Sequence, residues 1–281
     1  MFLRKIFYKI SPDQRYYLRR FLCFPFDIIE LVSGKRQKYI PPYGMIFTGR
    51  GDYTKLSEMF FVYFKEYCHL QPHHNILDIG SGLGRMAVPF IGYLNKEGSY
   101  HGIDIVKIGI KWCNKNISAS NHQFKFIHSD IYNDLYNTRG ILKGEDYVFP
   151  FSDNNFELVF LTSVFTHMLQ TEVEQYIKEI VRVLKPEGKC LATFFILNNE
   201  SETMMNTTAD SFKFPYHHGE YSLMSEDTKT ANVAYRQQWI EKILTKNKLK
   251  IDYIRYGYWC GRDKDKFSDF QDIFILSKEN I

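Results

Sequence analysis

No run in the 281-residue sequence approaches the roughly 18 uncharged apolar residues a spanning helix needs, which excludes an integral membrane protein. No Gly-X-Y run, heptad array or fixed-period repeat is present, so collagen, long coiled coil and solenoid are excluded too. The five cysteines (Cys23, Cys68, Cys113, Cys190, Cys260) are odd in number, widely spaced and free of any C-x-x-C pair. That pattern argues against a disulfide framework or a structural zinc site and points to a reducing, cytoplasmic compartment. Arg4, Lys5 and Lys9 interrupt any apolar core of a signal peptide. Aromatics, by contrast, are plentiful: 24 Phe, 20 Tyr and 3 Trp. With 44% hydrophobic and 24% charged residues, the chain is long enough and apolar enough to bury a full core.

Charge is unevenly spread. Residues 1–41 carry nine basic side chains against three acidic ones, a surplus of six, whereas the whole chain is only +4. This is a basic, aromatic-rich arm on a near-neutral body, not the basic stripe of a nucleic-acid-binding domain. Residues 1–33 read as two short amphipathic helices, one with Phe2, Leu3, Ile6, Phe7 and Ile10, the next with Tyr17, Leu18, Phe21 and Leu22. The arm has three readings, ranked as a cover for the active site, an anchor to an anionic membrane surface, and a dimer contact.

Pro41-Pro42 breaks the chain, and Thr48–Asp52 forms a glycine-rich loop. A helix is expected over 54–68. From residue 75 short apolar runs alternate with helical patterns: strands at 75–79, 100–104, 124–128, 156–161 and 189–196, and helices at 84–94, 106–119 and 169–184. A helix at 234–246 and two late strands, 252–259 and 272–276, complete the series; the short link between those strands favours an antiparallel pair. The fold class is therefore α/β: a doubly wound, mostly parallel seven-stranded sheet with an antiparallel terminal hairpin and an N-terminal helical extension. The expected organisation is an extension at 1–45 and one domain at 46–281, with an inserted lid at about 198–233. Ligand should sit at the carboxyl ends of the strands.

Asp78-Ile-Gly80-Ser81-Gly82-Leu-Gly84-Arg85 follows a strand and opens the next segment. Glycines there let the backbone turn sharply and approach a ligand closely. The spacing is G-x-G-x-G, and Arg85 stands where a dinucleotide fingerprint needs its third glycine, which disfavours NAD and FAD. Lys and Ser/Thr do not follow the glycines, so it is no Walker A loop. Asp104 ends the second strand, 24 residues beyond Gly80, the spacing of a ribose-binding acid. Asp130, after the third strand, is placed to take an adenine amine, with Ile105 and Ile131 flanking the ring. A glycine turn with two acids on successive strands describes an adenosine ligand without a pyrophosphate.

These residues, with Gly102-Ile-Asp104, His128-Ser-Asp130, Phe149–Val159, Ser163–Met168 and Leu184–Gly188, resemble the successive motifs of class I S-adenosylmethionine-dependent methyltransferases. The resemblance covers about residues 45–197. It is nearest to a bacterial branch with an N-terminal helical extension, a Pro-Pro plus glycine loop and a late Trp-x-Gly-Arg…Gln-Asp segment, here Trp259–Arg262 and Gln271-Asp272. The resemblance implies S-adenosylmethionine as cofactor and S-adenosylhomocysteine as product. It implies that Gly80, Ser81, Gly82 and Gly84 belong to the cofactor turn, and that Asp78 holds the methionine amino group directly or through water. Asp104 would bind the ribose, with Ile105, Asp130 and Ile131 framing the adenine. Thr162 and Ser163 would lie near the sulfonium, and the 49–52 loop with Tyr53 would close over the cofactor.

On the acceptor side, His167 stands just past the fourth strand and is the candidate base, since its titration range suits proton abstraction. Tyr216 and His217 in the inserted segment, with Trp259 and Arg262, are candidate acceptor contacts, the Trp by stacking and the Arg by bidentate hydrogen bonds. His217-His218 lack a carboxylate pair at metal spacing, and no metal is expected. The leading function is O- or N-methylation of a small-molecule or glycan acceptor. The alternatives are a protein or RNA methyltransferase, or a non-catalytic subunit of the same fold. Leu161-Thr-Ser-Val164 is not the Asn/Asp-Pro-Pro-Tyr/Phe signature of base-amine methylation, so nucleic acid is disfavoured.

Overall fold

The computed structural model describes residues 10–34, 36–47, 51–209 and 211–279. The central sheet is built from β1 (Asn75–Ile79), β2 (Ser99–Asp104), β3 (Phe124–His128), β4 (Phe156–Leu161) and β5 (Leu184–Phe194), with β10 (Leu249–Arg255) and β11 (Asp272–Lys278). Its order is β10-β11-β5-β4-β1-β2-β3. Only β11 runs antiparallel to its neighbours; the other pairings are parallel. This is the doubly wound sheet with a reversed terminal strand that the alternating pattern predicts. β1 and β4 lie in the middle and are buried on both faces, which is why Ile76-Leu77 and Leu158–Leu161 are continuous apolar runs.

Successive side chains of a strand enter opposite layers. Ile76 joins one core with Phe60 and Phe64 of α2 (Tyr53–Tyr67) and with Ile110 and Cys113 of α3 (Lys107–Asn116). Leu77 joins the other, with Val173, Ile177 and Ile180 of α4 (Gln170–Val183) and Ile240 and Leu244 of α6 (Gln237–Lys246).

One region differs from expectation and two are filled in by the structure. The helix predicted at 84–94 is a chain of tight turns with one 3₁₀ turn at Val88–Phe90. Its N–H groups donate three residues back, Ala87 to Gly84 and Phe90 to Ala87. Pro89 carries no N–H, and Gly84 and Gly92 have positive φ at the two ends, so an α-helix is not sustained. Second, the latter of the two expected N-terminal helices is α1 (Pro12–Val32), with Ser11 as its cap in a capping box with Gln14. The first expected helix falls almost wholly on residues 1–9, outside the described residues. Third, the 198–233 insertion is ordered. Helix α5 (Asn199–Thr207) precedes strands β7 (Tyr216–His218), β8 (Tyr221–Leu223) and β9 (Val233–Arg236), which extend from β6 (Ile196–Leu197) as a second sheet, β6-β9-β8-β7.

Gly44 sets how closely α1 sits. A Cβ there would stand 2.8 Å from Asp27 Oδ2 and 3.2 Å from Cys23 Cβ, while its N–H donates to Asp27 Oδ1. Tyr16 of α1 is buried with Met45 and with Leu83 of the glycine turn. Helix α1 therefore packs against the glycine turn.

Candidate active site

A cavity of about 740 Å³ opens at the carboxyl ends of β1, β2 and β4, a size suited to a cofactor and a small acceptor. Gly80, Ser81 and Gly82 form one wall, Asp104 and Ile105 a second, and Ile131, Thr162, Ser163 and His167 also face it. Elements far apart in sequence thus bring most of the predicted site residues together.

The glycine turn is fixed to the neighbouring strand. Gly80 N and Ser81 N both donate to Ile103 O, at 2.8 and 3.1 Å. Gly82 N donates to Asp104 Oδ2 at 2.7 Å and Val106 N to Oδ1 at 2.6 Å. Asp104 therefore holds the turn while standing in the cavity wall. Burial raises its carboxyl above the usual value, and the two N–H bonds oppose that rise. Gly80 has φ +83°, and a Cβ there would meet Val164 Cγ2 at 2.3 Å, so both backbone and space demand glycine. On the outer side the Tyr53 hydroxyl donates to Leu83 O at 2.9 Å and Arg85 lies over the Tyr53 ring. Residues 49 and 50 of the expected closing loop lie outside the described residues.

Asp78 is fully buried at the end of β1, set back from the cavity wall. Its Oδ2 accepts from Tyr100 Oη at 2.5 Å; its Oδ1 has no hydrogen-bond partner among the described residues, and neither does the buried hydroxyl of Ser81. Burial pushes the Asp78 carboxyl up to about 8. Polar atoms left without partners at a glycine turn fit a ligand that brings its own ammonium and carboxylate.

Ser163 closes the far side in a left-handed conformation, φ +60°, which is strained for a residue with a Cβ. Its N–H donates to Thr193 Oγ1 at 2.7 Å and its hydroxyl to Gln271 Oε1 at 2.9 Å. His167 Nδ1 lies 2.8 Å from Thr230 O. A carbonyl can only accept, so Nδ1 carries the proton and Nε2 keeps its lone pair. Burial holds the ring below its usual titration range, in the neutral state a base requires. Asn133 organises this corner: it donates to His167 O at 3.1 Å, and its Oδ1 accepts from Leu135 N, Tyr136 N and Thr230 Oγ1.

Several expected residues do not line the cavity. Gly84 faces Ile117 and Cys113, and its missing Cβ serves the packing of α3. The Asp130 carboxylate accepts from Asn137 Nδ2 at 3.1 Å, within the 131–142 turn. Tyr216 is exposed on β7; His217, also on that outer edge strand, pairs with Ser222 Oγ at 2.9 Å. Trp259 and Arg262 are core residues rather than acceptor contacts. Trp259 Nε1 donates to Asp272 Oδ2 at 2.7 Å, and the Arg262 side chain, 0% exposed, reaches Gly257 O, Asp272 and Glu200.

In their place the wall holds Phe195, Phe212, Tyr258, Phe270 and Lys264, whose ammonium sits over the Tyr258 ring, and Glu172, which burial pushes up to about 7. The Gln271-Asp272 pair signalled part of this end, with Gln271 in the wall and Asp272 beneath it. Nothing in the local pattern singled out Glu172, which reads as a helix-start residue and does accept from Leu169 N at 2.6 Å. No group of three His, Cys, Asp or Glu that could hold a metal occurs among the described residues.

Residues 77–192 match the family model described as a methyltransferase domain. The chain is 32% identical over 130 residues to a ubiquinone/menaquinone biosynthesis C-methyltransferase of Wigglesworthia glossinidia brevipalpis, 46% of each chain. It is 29% identical over 126 residues to a phosphoethanolamine N-methyltransferase of Plasmodium falciparum, 44% of this chain and 40% of the other. It thus spans less than half the length of these curated relatives. Among solved structures, a Pyrococcus horikoshii protein superposes with a TM-score of 0.57 at 16% identity, covering 82% of this chain and 93% of that one, a likeness of fold. Residues 77–192 are thus similar to a methyltransferase domain, and the superposition shows the fold.

Proposed function

We propose that this chain transfers a methyl group from S-adenosylmethionine to an oxygen or nitrogen of a small-molecule or glycan acceptor. The observation that carries the reading is the joining, in one cavity, of the Gly80–Gly82 turn, Asp104 and His167 with its Nε2 unprotonated. When bound, the cofactor supplies an already activated methyl group, so the chain's task is alignment, exclusion of water and proton removal. Asp104 binds the ribose hydroxyls, and Ser81 with Asp78 holds the amino-acid end. Ile105 and Ile131 flank the adenine. The aromatic wall of Phe195, Phe212, Tyr258 and Phe270 receives the apolar part of the acceptor and keeps water out. His167 Nε2 accepts the acceptor's proton.

Screening with labelled methyl donor tests this reading. With an acceptor in hand, His167→Ala should lower kcat by about 10²–10³-fold while leaving S-adenosylhomocysteine affinity within about twofold. Full activity removes His167 as the base.

Asp78 adds a pH signature. With its carboxyl raised to about 8, Asp78 is mostly protonated at neutral pH, and an ammonium beside it favours the charged form. Binding of S-adenosylhomocysteine should therefore release a proton near pH 7. Affinity should rise with pH, by up to about tenfold per unit, and level off near 8. Titration calorimetry in buffers of different ionisation enthalpy measures it; no proton release would separate Asp78 from the amino group.

A further inference from the structure

We infer that α1 is a membrane-docking helix that lays its apolar face on an anionic lipid surface. The face of α1 bearing Tyr16, Cys23 and Asp27 meets the body: Tyr16 is buried against Leu83 and Met45, and Cys23 and Asp27 lie against Gly44. At 100° per residue, Tyr17, Leu18, Phe21, Leu22, Ile28 and Ile29 fall on a broad face turned away from it. Phe21 is 78% exposed, Ile29 65% and Val32 82%. So much ring and branched side chain on one helix marks an interaction site. The apolar surface continues beyond the helix. Tyr43 lies edge-on to Phe26, and Arg139, two residues before the exposed Ile141, pairs with Asp13 at the start of α1.

Charge decides the occupant. Arg15 and Arg19 border one side of the apolar face, and the sequence on either side of α1 adds Arg4, Lys5 and Lys9 before it and Lys35, Arg36 and Lys38 after it with no acid among them, giving residues 1–41 a surplus of six positive charges. The three acids of this region, already counted in that surplus, face inward or pair: Asp27 accepts from Gly44 N, Glu30 pairs with Arg36 and Asp13 with Arg139. An apolar face with basic sequence on either side fits anionic headgroups over acyl chains. Two copies of an arm with that surplus would repel, which disfavours self-association. Among the described residues no helix is long and apolar enough to cross a membrane, so α1 lies in the interface plane. The site gains a fixed orientation: Arg15 donates to Leu135 O, next to Tyr136 in the cavity wall, so docking holds the cavity rim close to the bilayer.

Co-sedimentation of the full chain with vesicles tests this directly. It should pellet with vesicles of phosphatidylcholine mixed with phosphatidylglycerol and not with phosphatidylcholine alone, and release as salt rises. The double variant Phe21→Ser/Ile29→Ser removes two exposed side chains and should fold as the parent does, checked by an unchanged thermal midpoint. It should bind the anionic vesicles about a hundredfold more weakly. Failure to pellet, equal binding to both vesicles, or undiminished binding by the variant overturns the inference. A concentration-dependent dimer in analytical ultracentrifugation that the same substitutions abolish also overturns it, assigning the face to a second copy.

Discussion

Asp104→Ala is expected to weaken S-adenosylhomocysteine binding by at least about a hundredfold. Two losses combine. The carboxylate would no longer accept from the ribose hydroxyls, and hydrogen bonds to a charged group contribute about 1.5–3 kcal/mol. The same carboxylate anchors Gly82 N and Val106 N, at 2.7 and 2.6 Å, so its removal frees the glycine turn that the proposed cofactor would need preformed. Asp104→Asn separates the two effects: it keeps an acceptor for one N–H and should be the milder variant. Unchanged affinity in Asp104→Ala would end the ribose assignment.

Asp272→Ala should be the most destabilising single change near the site. Asp272 Oδ2 accepts from Ile196 N and Trp259 Nε1, both at 2.7 Å, and Oδ1 from Gly257 N at 2.8 Å, with Arg262 at 3.4 Å. Both charged side chains are wholly enclosed. Deleting Asp272 leaves the buried guanidinium with Glu200 as its one carboxylate and three N–H groups unmatched, at a combined cost of about 3–5 kcal/mol. For a chain of this size the thermal midpoint should fall by about 10 °C. Because Asp272 joins β11, the start of the second sheet and the Trp259–Arg262 turn, the aromatic wall should loosen as well. A midpoint within a degree or two of the parent would show the network to be incidental.

That network also marks where sequence reasoning stops. Trp259 and Arg262 are residue types that bind sugars and anions, and nothing local told them from core residues; only the return of β11 to the turn encloses them. Asp104 and the Gly80–Gly82 turn were legible because strand, turn and acid lie at fixed spacing along a βαβ unit. Asp130 lies at the end of the adjacent strand, but its orientation depends on Asn137, seven residues away, which closes a turn on its carboxylate. The 84–94 segment has a helical pattern of apolar residues, yet Pro89 and two left-handed glycines override it. In the insertion, β7 and β8 have three residues each, too few for an alternation to register. The sequence places His167 just after β4, whereas its tautomer depends on Thr230, sixty-three residues on.

The measurement that bears most directly on the cavity as a methyl-donor site is calorimetric titration of the purified chain with S-adenosylhomocysteine, with NAD run in parallel. Saturable binding of S-adenosylhomocysteine, no heat from NAD, and loss of the signal in Asp104→Ala is the expected result. Binding of NAD, or S-adenosylhomocysteine binding that survives Asp104→Ala unchanged, would contradict it.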